Sequence, residues 1–450
     1  MTDAFRNSSL PHVVIVGGGF GGIAVAKALR KAPVRVTLID RNAYQTFKPL
    51  LYQVAAGALN AGDITYYLRA LGAKQKNFRF VLGEFQKVDT DSKVIYLDDN
   101  RTMRYDYLIM ATGVGANYFG TPGAEEHTLP IYSRDEAITL RDRLFGLLDG
   151  HDFNEDGKPF RVVVCGGGPT GVETAGAIAE LKKYNFRELF PGMNTDAFEV
   201  TLVDMAPVIL GPFTEESQEA AKQALLDRGV KIMLKEAVRE VEANRIKLQN
   251  MDTKEEHWID ANLIVWSSGV GVPKVASQWG LPQGARGRIQ VDENLRVEGA
   301  DGVFAVGDVA VIGERGLPQL AQPAKQGGTH VAKVIKNSLQ GVETEPFEYV
   351  DLGSMATVGA GFAVAEITKV PPISGRIAWL IWNFIHVVQL QSGRERVATT
   401  ANLISKYFLF PGKHDLVAGD YNVFSKRARD GVLSASQDLD DAAVAAITKD

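Results

Sequence analysis

One cysteine, Cys165, is all that the 450-residue chain contains. An internal disulfide is excluded, and so is any mechanism that needs a redox-active cysteine pair. Such scarcity fits a reducing compartment. Long apolar runs are also missing. A membrane-crossing helix needs roughly 18 uninterrupted apolar residues, whereas the longest candidate, "IAWLIWNFIHVVQL" (Ile377 to Leu390), is shorter and is broken by Asn383 and His386. The opening "MTDAFRNSSLPH" is polar and lacks the apolar core of a secretory signal. There is no basic excess: 49 Lys and Arg against 54 Asp and Glu give a net charge of -5. That argues against a nucleic-acid partner.

Glycine is plentiful, at 45 residues, which favours tight turns and close backbone approach to ligands. Two stretches concentrate it. In "HVVIVGGGFGGIAVAKAL" the β-branched run Val13 to Val16 predicts a buried strand, and Gly17, Gly19 and Gly22 follow as G-x-G-x-x-G. A helix pattern comes next, then the strand "VRVTLID" ending at Asp40. This order suits a dinucleotide. Gly17 permits the turn, Gly19 lets the backbone approach a pyrophosphate, and Gly22 allows close helix–strand packing. The helix N-terminus supplies free N–H groups to the anion, and Asp40 is placed for ribose hydroxyls.

The pattern repeats. "RVVVCGGGPTGVETAGAIAEL" gives Gly166, Gly168 and Gly171, and "FEVTLVD" ends at Asp204. A carboxylate there would repel a 2′-phosphate by roughly 3–4 kcal/mol, so NADH is expected over NADPH. Cys165 reads as a packed small residue. Two further strand ends, "YDYLIMATGV" with Ala111, Thr112 and Gly113, and "GVFAVGDV" with Gly307 and Asp308, resemble the ATG and GD motifs of flavoproteins with two dinucleotide-binding domains. In those the GD aspartate binds the ribityl chain of FAD. The expected fold class is α/β: two Rossmann-like dinucleotide-binding domains, glutathione-reductase-like, plus a C-terminal membrane-associating region. The expected limits are 8–125 and 286–345 for a discontinuous FAD domain, 126–285 for an NADH domain, 346–425 for a C-terminal region of membrane association or dimer contact, and 426–450 for a mobile tail.

"DFNEDG" (Asp152 to Gly157) matches half of a calcium loop, but the twelfth position, which needs a bidentate acid, is Val163. It reads as a solvated turn, and no metal site is expected.

To about residue 410 the chain resembles the type II NADH dehydrogenases, single-subunit NADH:quinone oxidoreductases. The resemblance is carried by "FKPLLYQVAAG" (Phe47 to Gly57), "GGGPTGVETAGAIAEL", "FAVGDV", "AQPAKQ" (Ala321 to Gln326) and the Trp-rich C-terminal segment. It implies non-covalent FAD that takes hydride from NADH and reduces a membrane quinone, ubiquinone or menaquinone, to quinol without proton pumping. It also implies a homodimer, peripheral on the cytoplasmic face of the inner (plasma) membrane. On the FAD side it implies contacts from Gly17, Gly18, Gly19, Phe20, Gly21, Gly22, Asp40, Arg41, Lys48, Phe85, Ala111, Thr112, Gly113, Gly307, Asp308, Ala321 and Gln322. On the NADH side it implies Gly166, Gly168, Pro169, Thr170, Gly171, Glu173, Asp204 and Gly269. Glu173, read from the residues alone as a favourable first-turn acid, is by the resemblance a catalytic residue near flavin and nicotinamide.

In "AQPAKQ", Pro323 suits the first helical position. Gln322 and Gln326 then stand at i and i+4 on one face, where their amides are candidate ligands for a quinone carbonyl; the alternative is a solvent-facing pair. Lys325 is given no role, and neither is Lys369. Residues 377, 380, 381, 384, 387 and 388 line one helical face with Ile, Leu, Ile, Phe, Val and Val. Tryptophans with flanking cations suit a helix lying in the membrane interface; a dimer or core helix is the alternative. Two other functions remain open: a soluble NADH-dependent flavin reductase of a small electron-transfer protein, and a non-enzymatic NADH-sensing flavoprotein.

Overall fold

The computed structural model describes residues 9–154, 158–184, 186–314, 316–409, 416, 417 and 419. The expected tail, 426–450, lies outside them. The chain divides into two compact units. One comprises the chain through Thr46, Thr65–Asn117 and Val270–Leu352; the other comprises Phe47–Ile64, Tyr118–Gly269 and the chain from Gly353.

In the first unit a five-stranded parallel sheet runs in the order Val303–Ala305, Tyr107–Met110, His12–Val16, Arg35–Asp40, Phe78–Leu82. Val13, Val14, Ile15 and Leu108 to Met110 are fully buried. A parallel strand covered on both faces must be apolar on both, hence the unbroken runs. The Phe20–Ala28 helix packs against the Ala321–Ser338 helix through glycine. A Cβ on Gly328 would come within 2.5 Å of the Gly21 carbonyl, so bare backbones set this approach. It brings the start of the later helix close to the first glycine turn: Gly21 faces Val306 and Ala324. Phe85–Asp89, Val94–Leu97 and Thr102–Arg104 form a small antiparallel sheet.

The second unit repeats the plan. Its parallel sheet runs Leu129–Pro130, Leu263–Trp266, Phe160–Cys165, Phe198–Asp204, Val230–Leu234. A three-stranded antiparallel sheet, Glu236–Glu242, Arg245–Asn250 and Glu256–Asp260, again falls between the third and the returning strand. Both glycine fingerprints therefore follow the central strand of an equivalent sheet. "DFNEDG" does not begin as a turn: Asp152 and Asn154 end the Arg134–Asn154 helix, and Asp152 accepts the N–H of Gly192 at 2.7 Å.

The C-terminal part of this unit holds strands Gly353–Thr357, Ala363–Ile367 and Ile373–Ser374, then helices Gly375–Gln389 and Gly393–Ile404. Ser392 caps the second helix by accepting from Glu395 N–H, and the Glu395 carboxylate reaches back to accept the Gln391 N–H at 3.1 Å, a relative of the capping box shifted by one residue. The first helix corrects one expectation. Its tryptophans face inward: Trp379 and Trp382 are 7% and 1% exposed, the former edge-on to Tyr407, the latter edge-on to Tyr52 and stacked on His386. Indole is the largest apolar surface in the segment, and packing it releases the most water-exposed area. The expected aliphatic face is the outer one, with Ile377, Leu380, Phe384 and Val388 between 48% and 70% exposed. No helix among the described residues is long and apolar enough to cross a membrane.

Candidate functional site

The first glycine turn is shaped for a ligand of low steric tolerance. Gly17 holds φ +108, and a Cβ there would overlap the Ala111 carbonyl; a Cβ on Gly22 would overlap the Gly17 carbonyl. Gly19, by contrast, has nothing within 4 Å of where its Cβ would stand. The turn is thus crowded where it packs on protein and open where a pyrophosphate would approach. Asp40 closes the next strand and accepts N–H groups from Gly18 at 2.6 Å and Asn42 at 2.7 Å. Burial nevertheless pushes its carboxyl above the usual value. Each oxygen keeps a lone pair for a ribose hydroxyl.

Around this turn stand the other expected residues of the unit. The Thr112 hydroxyl is buried with no partner in the described structure. An orphaned donor beside an open turn is what a bound polar ligand would satisfy. Gly113 and Gly307 hold φ +69 and +73, Asp308 lies in the turn Gly307–Val309, and its carbonyl accepts from Gln319 at 3.2 Å. These features fit FAD. Other expected residues do less. Phe85 is core, edge-on to Trp279 at 5.8 Å. Arg41 pairs with Glu84 at 3.7 Å on the surface. Lys48, exposed, belongs to the second unit. Lys325, given no role above, lies 5.0 Å from the Phe20 ring centroid.

The second turn duplicates the first. Gly166 holds φ +114; a Cβ on Gly171 would overlap the Gly166 carbonyl, and Gly168 is open. Asp204 accepts the N–H groups of Gly167 and Ala206, the latter at 2.7 Å. Pro169 and Thr170 open the helix that follows. Gly269, at φ +133, donates its N–H to the Tyr132 hydroxyl at 3.3 Å and lies under the Phe119 ring. Cys165 is fully buried and its thiol is pushed up to about 12 by burial, then by Asp204. It is packed and inert, as expected.

Glu173 differs from the expectation in place and in environment. The helix begins at Pro169, so Glu173 lies one turn in and is no first-turn acid. It is 8% exposed. Burial raises its carboxyl to about 8, against a lowering hydrogen bond from the Thr357 N–H at 3.3 Å. The Thr357 hydroxyl bonds the Tyr52 hydroxyl at 2.9 Å, and Gln53 donates to the same phenol oxygen. Tyr52 is held neutral by burial and by Glu173. Thr357 thus joins the two buried acids through separate groups, its backbone N–H on the Glu173 carboxyl and its hydroxyl on the Tyr52 phenol. Tyr52 lies in "FKPLLYQVAAG", where only the resemblance could have pointed to it, and Thr357 ends the short strand Gly353–Thr357, which carries no local signal.

The glutamines separate. The helix starts at Ala321 with Leu320 as its cap, so Pro323 is its third residue, not its first. This is tolerated because none of the first N–H groups has an intrahelical partner. Gln326 is engaged: its amide donates to the Val350 carbonyl at 2.9 Å and accepts the Val350 N–H at 3.0 Å. It acts as a strand-like clamp on the 342–352 segment. The Gln322 side chain is half-buried and makes no hydrogen bond among the described residues.

Comparison with known proteins agrees with this duplication. Residues 11–328 match the family model described as pyridine nucleotide-disulphide oxidoreductase. The chain is 36% identical over 429 residues to the type II NADH:quinone oxidoreductase Ndh of Mycobacterium tuberculosis, covering 92% of each. It is 30% identical to a type II NADH:quinone oxidoreductase of Staphylococcus haemolyticus, covering 77% of this chain and 87% of that one. Among solved structures, NDH2 from Plasmodium falciparum in complex with NADH superposes with a TM-score of 0.82 at 20% identity, covering 89% of this chain and 99% of that one. A sulfide:quinone oxidoreductase of Aquifex aeolicus reaches 0.69 at 20% identity, covering 91% and 93%. At such identity these structures speak to fold alone.

Proposed function

The chain belongs to the type II NADH:quinone oxidoreductases, and from that premise we propose that it oxidises NADH and reduces a membrane quinone to quinol, using FAD. The observation that carries this is the pair of open glycine turns, each with its own strand-end carboxylate. One chain is built for two dinucleotides. With its single buried cysteine it has no dithiol to pass electrons through, so the acceptor takes them directly.

The first turn, with Asp40, Thr112 and Asp308, holds FAD; the second, with Asp204, holds NADH. FAD, when bound, accepts a hydride from the nicotinamide and yields two electrons to the quinone. The chain's own residues bind, orient and move protons. Asp204, held by two backbone N–H groups, cannot swing from an added 2′-phosphate and selects NADH. Glu173 holds a proton at neutral pH on the NADH side. Gln322 offers a neutral amide to a quinone carbonyl; the engagement of Gln326 leaves it as the support of that helix end. The outer face of the Gly375–Gln389 helix lies in the interface of the cytoplasmic leaflet, with the same region contributing to a homodimer. Exposed aliphatic and Phe side chains on a short amphipathic helix support this.

The test is an anaerobic titration of the purified yellow protein. NADH bleaches the flavin absorbance, and a short-chain quinone restores it within the enzyme's turnover time. A stable bleached complex would instead favour the sensor reading; recovery only with a small electron-transfer protein would favour the soluble reductase.

A further inference from the structure

Away from the glycine turns, the first unit carries a cleft of about 460 Å³ where the ends of the helices Phe20–Ala28 and Ala321–Ser338 meet. Lys27, Arg30, Lys31 and Lys336 line it, with Gln340, over a floor that includes Leu339. None of its nine lining residues is acidic. For a chain of net charge -5 this is a marked local reversal.

The ordinary reason for cations at a helix C-terminus is to satisfy its last carbonyls and complement its dipole. Here neutral amides take those carbonyls. Gln75 donates to Ala26 at 2.9 Å. Asn77 donates to Leu29, Ala32 and Val34 at 3.1, 3.3 and 3.0 Å. On the other helix, backbone N–H groups of Leu339, Gln340 and Gly341 reach Ile335, Asn337 and Ser338. Among the described residues no ion pair involves Arg30, Lys31 or Lys336. Gathering these three cations beside Lys27 with no ion pair of their own is unfavourable unless an anion joins them.

We propose that this cleft binds a multivalent phosphate-bearing anion. The site is distinct from the two glycine turns, which hold pyrophosphate through backbone N–H groups; here side-chain charge does the holding, as in the non-specific recognition of phosphates by lysine and arginine. The same chemistry is offered by a free phosphorylated metabolite and by a lipid headgroup.

The experiment uses flavin-loaded enzyme saturated with NAD⁺, so that the glycine turns do not take up the probe. Inorganic pyrophosphate is titrated calorimetrically into wild type, K31Q/K336Q and, as a second variant, R30Q. In parallel the three proteins are co-sedimented with vesicles of phosphatidylglycerol or of phosphatidylcholine. Wild type is expected to bind pyrophosphate, with affinity about tenfold weaker in K31Q/K336Q and lost in about 0.5 M salt. If vesicle binding is unchanged by the substitutions, the source is a free phosphorylated ligand. If sedimentation with phosphatidylglycerol falls in K31Q/K336Q and R30Q, with or without pyrophosphate binding, the source is a lipid headgroup. Equal pyrophosphate affinity and equal vesicle binding in all three proteins overturn the proposal. So does absence of pyrophosphate binding together with vesicle binding that the substitutions do not alter.

Discussion

The amide N–H of Thr357 meets the carboxyl of Glu173 at 3.3 Å across 184 positions of sequence. It is the one lowering influence on a group that burial drives to about 8, and it ties a helix after the second glycine turn to a strand of the C-terminal sheet. The raised value has a consequence for stability. In an unfolded chain a glutamate titrates near about 4.3, so between there and about 8 the native state binds a proton that the unfolded state does not. Glu173 therefore favours the fold fully at acid pH, and that contribution is lost as pH rises through its folded value. Melting temperature should fall between about pH 5.5 and about pH 8.5 in wild type and fall less in E173Q. Parallel curves would show that the carboxyl is ionised at neutral pH. E173Q should also slow turnover with NADH and quinone.

Two glycines two residues apart should behave in opposite ways. Ala at Gly17 meets the Ala111 carbonyl and an unfavourable φ of +108, so G17A should lower the melting temperature of the apoprotein. G19A adds a methyl where nothing lies within 4 Å. It should fold and melt as wild type, yet bind FAD at least about tenfold more weakly. A G19A preparation with a full flavin complement would remove the pyrophosphate from this turn.

Gln322 and Gln326 should part company as well. Q322A is expected to slow reoxidation of the flavin by quinone while leaving its reduction by NADH intact, both read by stopped-flow absorbance. Q326A loses two hydrogen bonds to Val350 and should cost about 1–2 kcal/mol of stability, with the 342–352 segment cleaved faster by protease. Selective slowing of the quinone step in Q326A, at unchanged stability, would return that residue to the acceptor site.

The Gly375–Gln389 helix has one face for packing and one for the membrane. I377S/F384S should reduce co-sedimentation with vesicles and spare stability, since both side chains are more than 60% exposed. W382A removes a 1% exposed indole packed edge-on to Tyr52 and should cost about 3–5 kcal/mol. Loss of vesicle binding in W382A without loss of stability would reverse the assignment of the two faces.

The sequence alone determined the duplicated α/β plan and both glycine turns, because these depend on local rules. A buried parallel strand must be apolar throughout, a turn at φ above +100° must be glycine, and the carboxylate follows one strand later in the same βαβ unit. Asp40 and Asp204 were legible for that reason. The single cysteine likewise settled what the electrons do not pass through. Tertiary structure decided what depends on distant neighbours. Gln326 looked like half of a pair until Val350 met it, and Trp379 and Trp382 read as interface residues until Tyr407 and Tyr52 covered them. The protonation of Glu173 belongs to no local pattern: a carboxyl's charge is set by the water around it, and only the folded chain removes that water.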